Sequence, residues 1–95
     1  MNIENKIDPI LVGRRLEALR SALSIDKADF ADASLIDRSS YSKIIQGKKL
    51  LKIEMGFIVS KKWGVTLEYI YKGDLSGLSK LDETTRKTII TSLTL

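Results

Sequence analysis

Between Asp37 and Lys49 the chain reads Asp-Arg-Ser-Ser-Tyr-Ser-Lys-Ile-Ile-Gln-Gly-Lys-Lys. Asp37 is placed to accept from the free amides of a first helical turn, Tyr41, Ile44 and Ile45 share an inward stripe, and Gly47 can take the left-handed conformation that ends a helix. The opposite side carries Ser39, Ser42, Lys43 and Gln46, with Arg38 at the first turn. These side chains donate and accept hydrogen bonds and bring little apolar bulk. On the open face of a helix that enters a major groove, such a set can meet base edges and phosphates.

The charge pattern points the same way. The net charge is only +4 over 95 residues. Arg38 to Lys62, however, holds seven Lys or Arg (38, 43, 48, 49, 52, 61 and 62) against the single acid Glu54, a net of +6, which leaves nine bases against eleven acids elsewhere. A solvated Lys-rich surface is the ordinary reading of such a run. Its coincidence with a capped polar helix turns the reading toward a polyanion footprint, because phosphate attraction supplies most nonspecific affinity for nucleic acid.

Composition excludes other chemistry. With no Cys there is no disulfide, thiol nucleophile or thiolate metal site, and with no His the commonest general base and zinc ligand are missing. The twelve acids are scattered, mostly at expected helix starts or on polar faces. The chain is therefore expected to be no enzyme and to need no metal or cofactor. No apolar run reaches the length of a membrane span, and Met1 to Lys6 is too polar for a secretory signal, so a cytoplasmic protein is expected.

The elements that must position the polar helix follow from caps and periodicity. Asp8-Pro9 opens a first helix over about Pro9 to Ala22, with Ile7 placed to staple Val12, and Val12, Leu16, Leu19 and Leu23 form its apolar face. Asp26 caps a second short helix whose buried side is Phe30 and Ala31. Ser34-Leu35-Ile36 then turns into the polar helix. A fourth helix is expected over about Ile53 to Lys62, with Ile53, Phe57, Ile58 and Val59 on its apolar side and a stop near Gly64. Thr66 caps a fifth, Leu67 to Tyr71, closed by Gly73, with Leu67, Ile70, Trp63 and Tyr69 completing the core.

The tail reads differently. Asp74 to Gly77 has linker composition, and Ser79-Lys80-Leu81-Asp82 has the form of a capping box for a last helix carrying Leu81, Ile89 and Leu93. Thr88 to Leu95 is rich in β-branched residues and fits a strand as well. Its apolar side chains suit either packing on the chain's own core or a partner surface, most simply a second copy. The organisation expected is an arm at 1–7, a DNA-binding domain at 8–74 and a tail at 75–95 that could serve dimerisation.

From about Val12 to Asp74 these pieces together resemble the lambda-repressor-like helix-turn-helix family, the Cro, phage-repressor and xenobiotic-response-element type of regulator. The matching pieces are Arg14-Arg15-Leu16 with Leu19-Arg20, Phe30-Ala31, Ile36 through Ile44, Gln46-Gly47-Lys48, and Trp63 through Tyr71. The resemblance implies an all-α, compact five-helix DNA-binding domain followed by a short C-terminal helix or tail. It implies a transcriptional regulator, usually a homodimer on a two-fold symmetric double-stranded operator, where occupancy blocks or recruits polymerase.

By position, Arg38, Ser39 and Lys43 fall where base edges are reached, and Ser40 and Ser42 where bases or phosphates are. Lys27 stands where the family commonly has a Gln touching the backbone, and Gln46, Lys48 and Lys49 match phosphate contacts. Three positions depart from the family. Leu35 replaces a common Gly, asking for a left-handed Leu at about 1 kcal/mol or a different turn. Ile45 replaces an acid that pairs with the arginine matching Arg20, leaving Arg20 to solvent or phosphate. Lys52 replaces a Ser or Thr cap, weakening that helix start by about 0.5 to 2 kcal/mol. Two alternatives remain open: an antitoxin whose tail, Asp82 to Leu95, holds a toxin, and a protein-interaction domain whose basic band engages an acidic partner.

Overall fold

Side-chain caps fix five of the six α-helix starts. In the computed structural model, which describes residues 6–95, Asp8 accepts from the amide of Ile10 to open α1 (Pro9–Ala22) and Asp26 from Asp29 to open α2 (Lys27–Ala33). Asp37 accepts from Ser40 at α3 (Arg38–Ile45), Thr66 from Tyr69 at α5 (Leu67–Lys72), and Asp82 from Thr85 at α6 (Glu83–Thr94). The exception is α4 (Ile53–Trp63), where Lys52 makes no side-chain cap. Its approach is held instead by the Tyr71 hydroxyl, which donates to the Leu51 carbonyl at 2.8 Å and lies 3.1 Å from that of Lys52. A 3-10 turn at Leu75–Leu78 joins α5 to α6, and no strand occurs among the described residues. The expected arm at 1–7 lies outside them except for Lys6 and Ile7.

The ends of α1, α2 and α3 share one design. Each closes with a left-handed residue, Ser24 (φ 58°), Leu35 (φ 58°) and Gly47 (φ 76°). At α2 the amides of Leu35 and Ile36 return to the carbonyls of Asp32 (3.1 Å) and Ala31 (2.9 Å); at α3 those of Gly47 and Lys48 return to Ile44 and Lys43, both at 3.0 Å. These paired bonds satisfy carbonyls that a helix end leaves open. Ile36 turns inward after the left-handed Leu35 and is 4% exposed, whereas Leu35 itself is 68% exposed. Since a left-handed non-glycine residue costs about 1 to 2 kcal/mol and the entropic cost of Gly is about 0.5 to 1 kcal/mol, Leu35→Gly is expected to stabilise the fold by about 0.5 to 1 kcal/mol. Urea unfolding followed by circular dichroism reads this as a higher midpoint at unchanged slope.

α1 is the central element. It packs on α3, α5 and α6, and its Val12, Leu16 and Leu19 are fully buried. Phe30 from α2 lies between Tyr41 of α3, with ring centroids 5.5 Å apart, and Trp63 of α4, stacked at 5.0 Å. The Trp63 indole N–H donates to the buried Ser34 hydroxyl at 2.9 Å, so the aromatic cluster also ties α4 to the turn before α3. Tyr69 donates to the Arg15 carbonyl at 2.7 Å and joins α5 to α1.

Several expectations from sequence are corrected. Ile53 and Phe57, expected inward, are 49% and 58% exposed; α4 instead turns Gly56 and Val59 to the core. A Cβ at Gly56 would lie 2.5 Å from the Tyr71 hydroxyl, so this close approach sets the rotation of the helix. Asp74 to Gly77 is not a slack linker: Leu78 is fully buried, and the Gly77 carbonyl accepts from the Thr66 amide at 3.1 Å. The cap of the last helix is Asp82 rather than Ser79, and the β-branched end of the chain is helical through Thr94. Its Ile89 is fully buried, and α6 lies against α1. Ile7 is 40% exposed and borders a recess with Leu11 and Tyr71. No helix among the described residues is long and apolar enough to cross a membrane.

Candidate nucleic-acid interface

α3 is short, capped at both ends and amphipathic. Tyr41 and Ile44 are buried and Ile45 is half-buried, while Arg38, Ser39, Ser42, Lys43 and Gln46 are all exposed. Their spacing of one, three, one and three residues places them on a single face of a helix with 3.6 residues per turn. The face is held in position from behind. Gly13 of α1 brings the two helix backbones together, since a Cβ there would lie 2.5 Å from the Ile44 carbonyl oxygen. One turn further along α1, Glu17 accepts from the Tyr41 hydroxyl at 2.6 Å and from two Arg20 nitrogens at 2.9 Å.

Arg20 is therefore engaged within the fold rather than left to open solvent. Its guanidinium grips Glu17 and donates to the Ile25 carbonyl at 2.6 Å, which secures the loop before α2. Burial opposes ionisation of the Glu17 carboxyl, but the hydrogen bonds from Arg20 and Tyr41 outweigh it and hold its pKa below the ordinary value. A carboxyl with a depressed pKa contributes stability that is present above the unfolded value, about 4.3, and is lost as the pH falls through the lower folded value.

Lys27, at the first residue of α2, shares a cleft of about 500 Å³ with Arg38, Ser42 and Gln46 of α3, floored by Tyr41 and Glu17. Within it Gln46 donates to the Ser42 hydroxyl at 3.0 Å. Ser39 and Lys43 stand on the outer part of the same face, and the Ser39 hydroxyl donates to the capping carboxylate of Asp37. Ser40 and Lys49 are brought together elsewhere. The Lys49 ammonium donates to the Ser40 hydroxyl at 3.1 Å, and the two border a separate recess on the flank of α3 with Ile36, Ile44 and Lys52. Lys48 is exposed just beyond the left-handed Gly47.

The partner of Arg38 was not legible beforehand. Its Nε and Nη2 donate to the two oxygens of Asp32 at 3.0 and 2.7 Å, a two-pronged pair across the turn. The hydrogen bonds that Arg38 donates to Asp32 hold the Asp32 carboxyl below its usual range and raise the pKa of the guanidinium. Both side chains are more than half exposed. Asp26, Asp29 and Asp32 recur every three residues along α2, a sequence signal for an acidic edge beside Arg38. No family model, curated protein or solved structure matches this chain.

Chemically, the face offers a planar guanidinium fork, an ammonium, an amide and hydroxyls. This set suits the acceptors of guanine, the mixed pattern of adenine and phosphate oxygens. The exposed Arg38–Asp32 pair is screened by solvent and is weaker than a desolvated two-pronged guanine contact. The pair can thus give way to a base. Among the described residues no cluster of acids is arranged to hold a metal ion.

Proposed function

We propose that this chain is a sequence-specific DNA-binding regulator of the lambda-repressor-like helix-turn-helix type, acting in the cytoplasm as a pair of copies on an inverted-repeat operator. The observation that carries this reading is the single polar face of α3, with Arg38, Ser39, Ser42, Lys43 and Gln46 exposed together and Lys27 of α2 adjoining it. In this reading α2 crosses the phosphate backbone and α3 enters the major groove. Arg38 and Lys43 address guanine edges, Ser39 and Ser42 add shorter contacts, and Lys27, Gln46 and Lys48 anchor phosphates. Lys49 reaches the backbone from the flank it shares with Ser40.

The acidic edge of α2 has a place in this scheme. Asp26 and Asp29 repel phosphate and so turn the outer side of α2 away from the duplex, while Asp32 holds the Arg38 fork until a base replaces it. Asp32→Asn removes one charge from that edge and weakens the grip on Arg38. It is expected to tighten binding to random duplex by about two- to fivefold at low salt, with a smaller gain at high salt. Fluorescence anisotropy titration with a labelled duplex measures it. Unchanged or weaker binding by Asp32→Asn would place Arg38 outside the interface.

A further inference from the structure

α4 leaves an apolar and charged stripe uncovered. Ile53 and Phe57 are 49% and 58% exposed, and Phe57 is the one aromatic residue among those described that is exposed rather than buried or half-buried. Ile53, Phe57 and Lys61 recur every four residues, and Glu54 shares their side of the helix. The ion pairs among the described residues are Glu17–Arg20, Asp32–Arg38 and Glu83–Lys87, so neither Glu54 nor Lys61 has a charged partner among them.

From this arrangement we infer that the stripe pairs with α4 of a second copy of this chain, antiparallel about a two-fold axis. Glu54 and Lys61 lie at equal distances in sequence from the midpoint between Phe57 and Ile58. A two-fold interface requires that if residue i meets residue j, then j meets i. An axis through that midpoint sets Glu54 of each copy opposite Lys61 of the other and closes Phe57 on Phe57 and Ile58 of the second copy. The stripe is therefore complementary to itself in charge as well as in apolar character. Parallel pairing would instead set Glu54 beside Glu54 and Lys61 beside Lys61, which repels. The surface differs from the tail that sequence alone offered for dimerisation, because α6 commits Ile89 to its own core.

One pair of short helices buries less than a standard protein interface, so the association is weak and concentration-dependent. It does not depend on DNA binding and is measured without DNA.

Sedimentation equilibrium of the full chain at low salt, from about 10 μM to 1 mM, is expected to show a monomer–dimer equilibrium. Glu54→Lys and Lys61→Glu are each expected to weaken it by about tenfold or more, because each sets like charges opposite one another twice. Mixing these two variants restores association, since every facing pair is then of opposite sign, and a misfolded variant could not produce that recovery. Phe57→Ser is expected to leave a monomer. A chain that stays monomeric throughout the range overturns the proposal and leaves the stripe to a different protein. Dimerisation indifferent to Glu54→Lys and Lys61→Glu overturns it in favour of another surface of this chain.

Discussion

Gly13→Val is expected to destabilise the folded chain by about 3 kcal/mol or more, the largest loss among the single substitutions considered. A Cβ at Gly13 would lie 2.5 Å from the Ile44 carbonyl oxygen and 3.0 Å from the Ile45 Cα, and both are backbone atoms of α3 that no side-chain rotation can move. The β-branched side chain adds two methyl groups to that clash. Gly13→Ala gives the cleaner sign. In an isolated helix Ala is preferred to Gly by about 1 kcal/mol, yet here the lone methyl meets backbone, and a net loss of about 1 to 2 kcal/mol is expected. Thermal and urea unfolding by circular dichroism measure both. A stabilised Gly13→Ala variant would mean that α1 and α3 are further apart than described, and that the polar face of α3 is not anchored through this contact.

Arg38→Ala carries the largest expected functional effect. On the preferred duplex it is expected to cost about 1 to 3 kcal/mol and to relax the base preference at the position it reads. On random duplex the loss is smaller, because Asp32 already neutralises much of this charge in the free protein. Lys48→Ala provides the contrast. Lys48 is exposed beyond the end of α3, where the proposal has it contact phosphate, so its loss is expected to weaken all sequences similarly and to lower the salt slope by about one. In an Asp32→Asn background the cost of Arg38→Ala on the preferred duplex is expected to rise, since no internal ion pair is then given up on binding. Titrations of the preferred and a scrambled duplex at several salt concentrations separate these cases. Equal losses for Arg38→Ala on both duplexes would remove base readout from its role.

Much of the fold was readable because local chemistry and burial agree over most of the chain. Asp8-Pro9 marks the start of α1, and Asp37 with Gly47 brackets α3, since a capping carboxylate and a left-handed glycine act on their immediate neighbours. The rotation of α4 was not readable from periodicity. Ile53, Met55, Phe57, Ile58 and Val59 spread apolar character around the helix, and the choice of face is made by the contact of Gly56 with Tyr71, fifteen residues away. Asp74 to Gly77 has the composition of a linker but is fixed by a backbone bond to Thr66.

The candidate site divides in the same manner. The exposed stripe of α3 follows from its own sequence, and so does the separation of Tyr41 and Ile44 from it. The pairs Arg38–Asp32 and Tyr41–Glu17 cross between helices and depend on the turn at Leu35 and on the close approach at Gly13. Lys49 and Ser40 likewise meet only because the loop after Gly47 folds back along α3. Residues near in sequence were sorted correctly by helical spacing, whereas their charge partners required the packing.

Selection from a randomised duplex pool with the purified chain at about 150 mM salt, followed by titration of the selected sequence against a scrambled one, tests the DNA-binding proposal most directly. Sequence-specific readout by α3 predicts an enriched inverted repeat, with half-site centres about one helical turn or a multiple apart, and at least about a thousandfold preference over scrambled DNA. Weak, salt-sensitive binding with no enriched motif would contradict it.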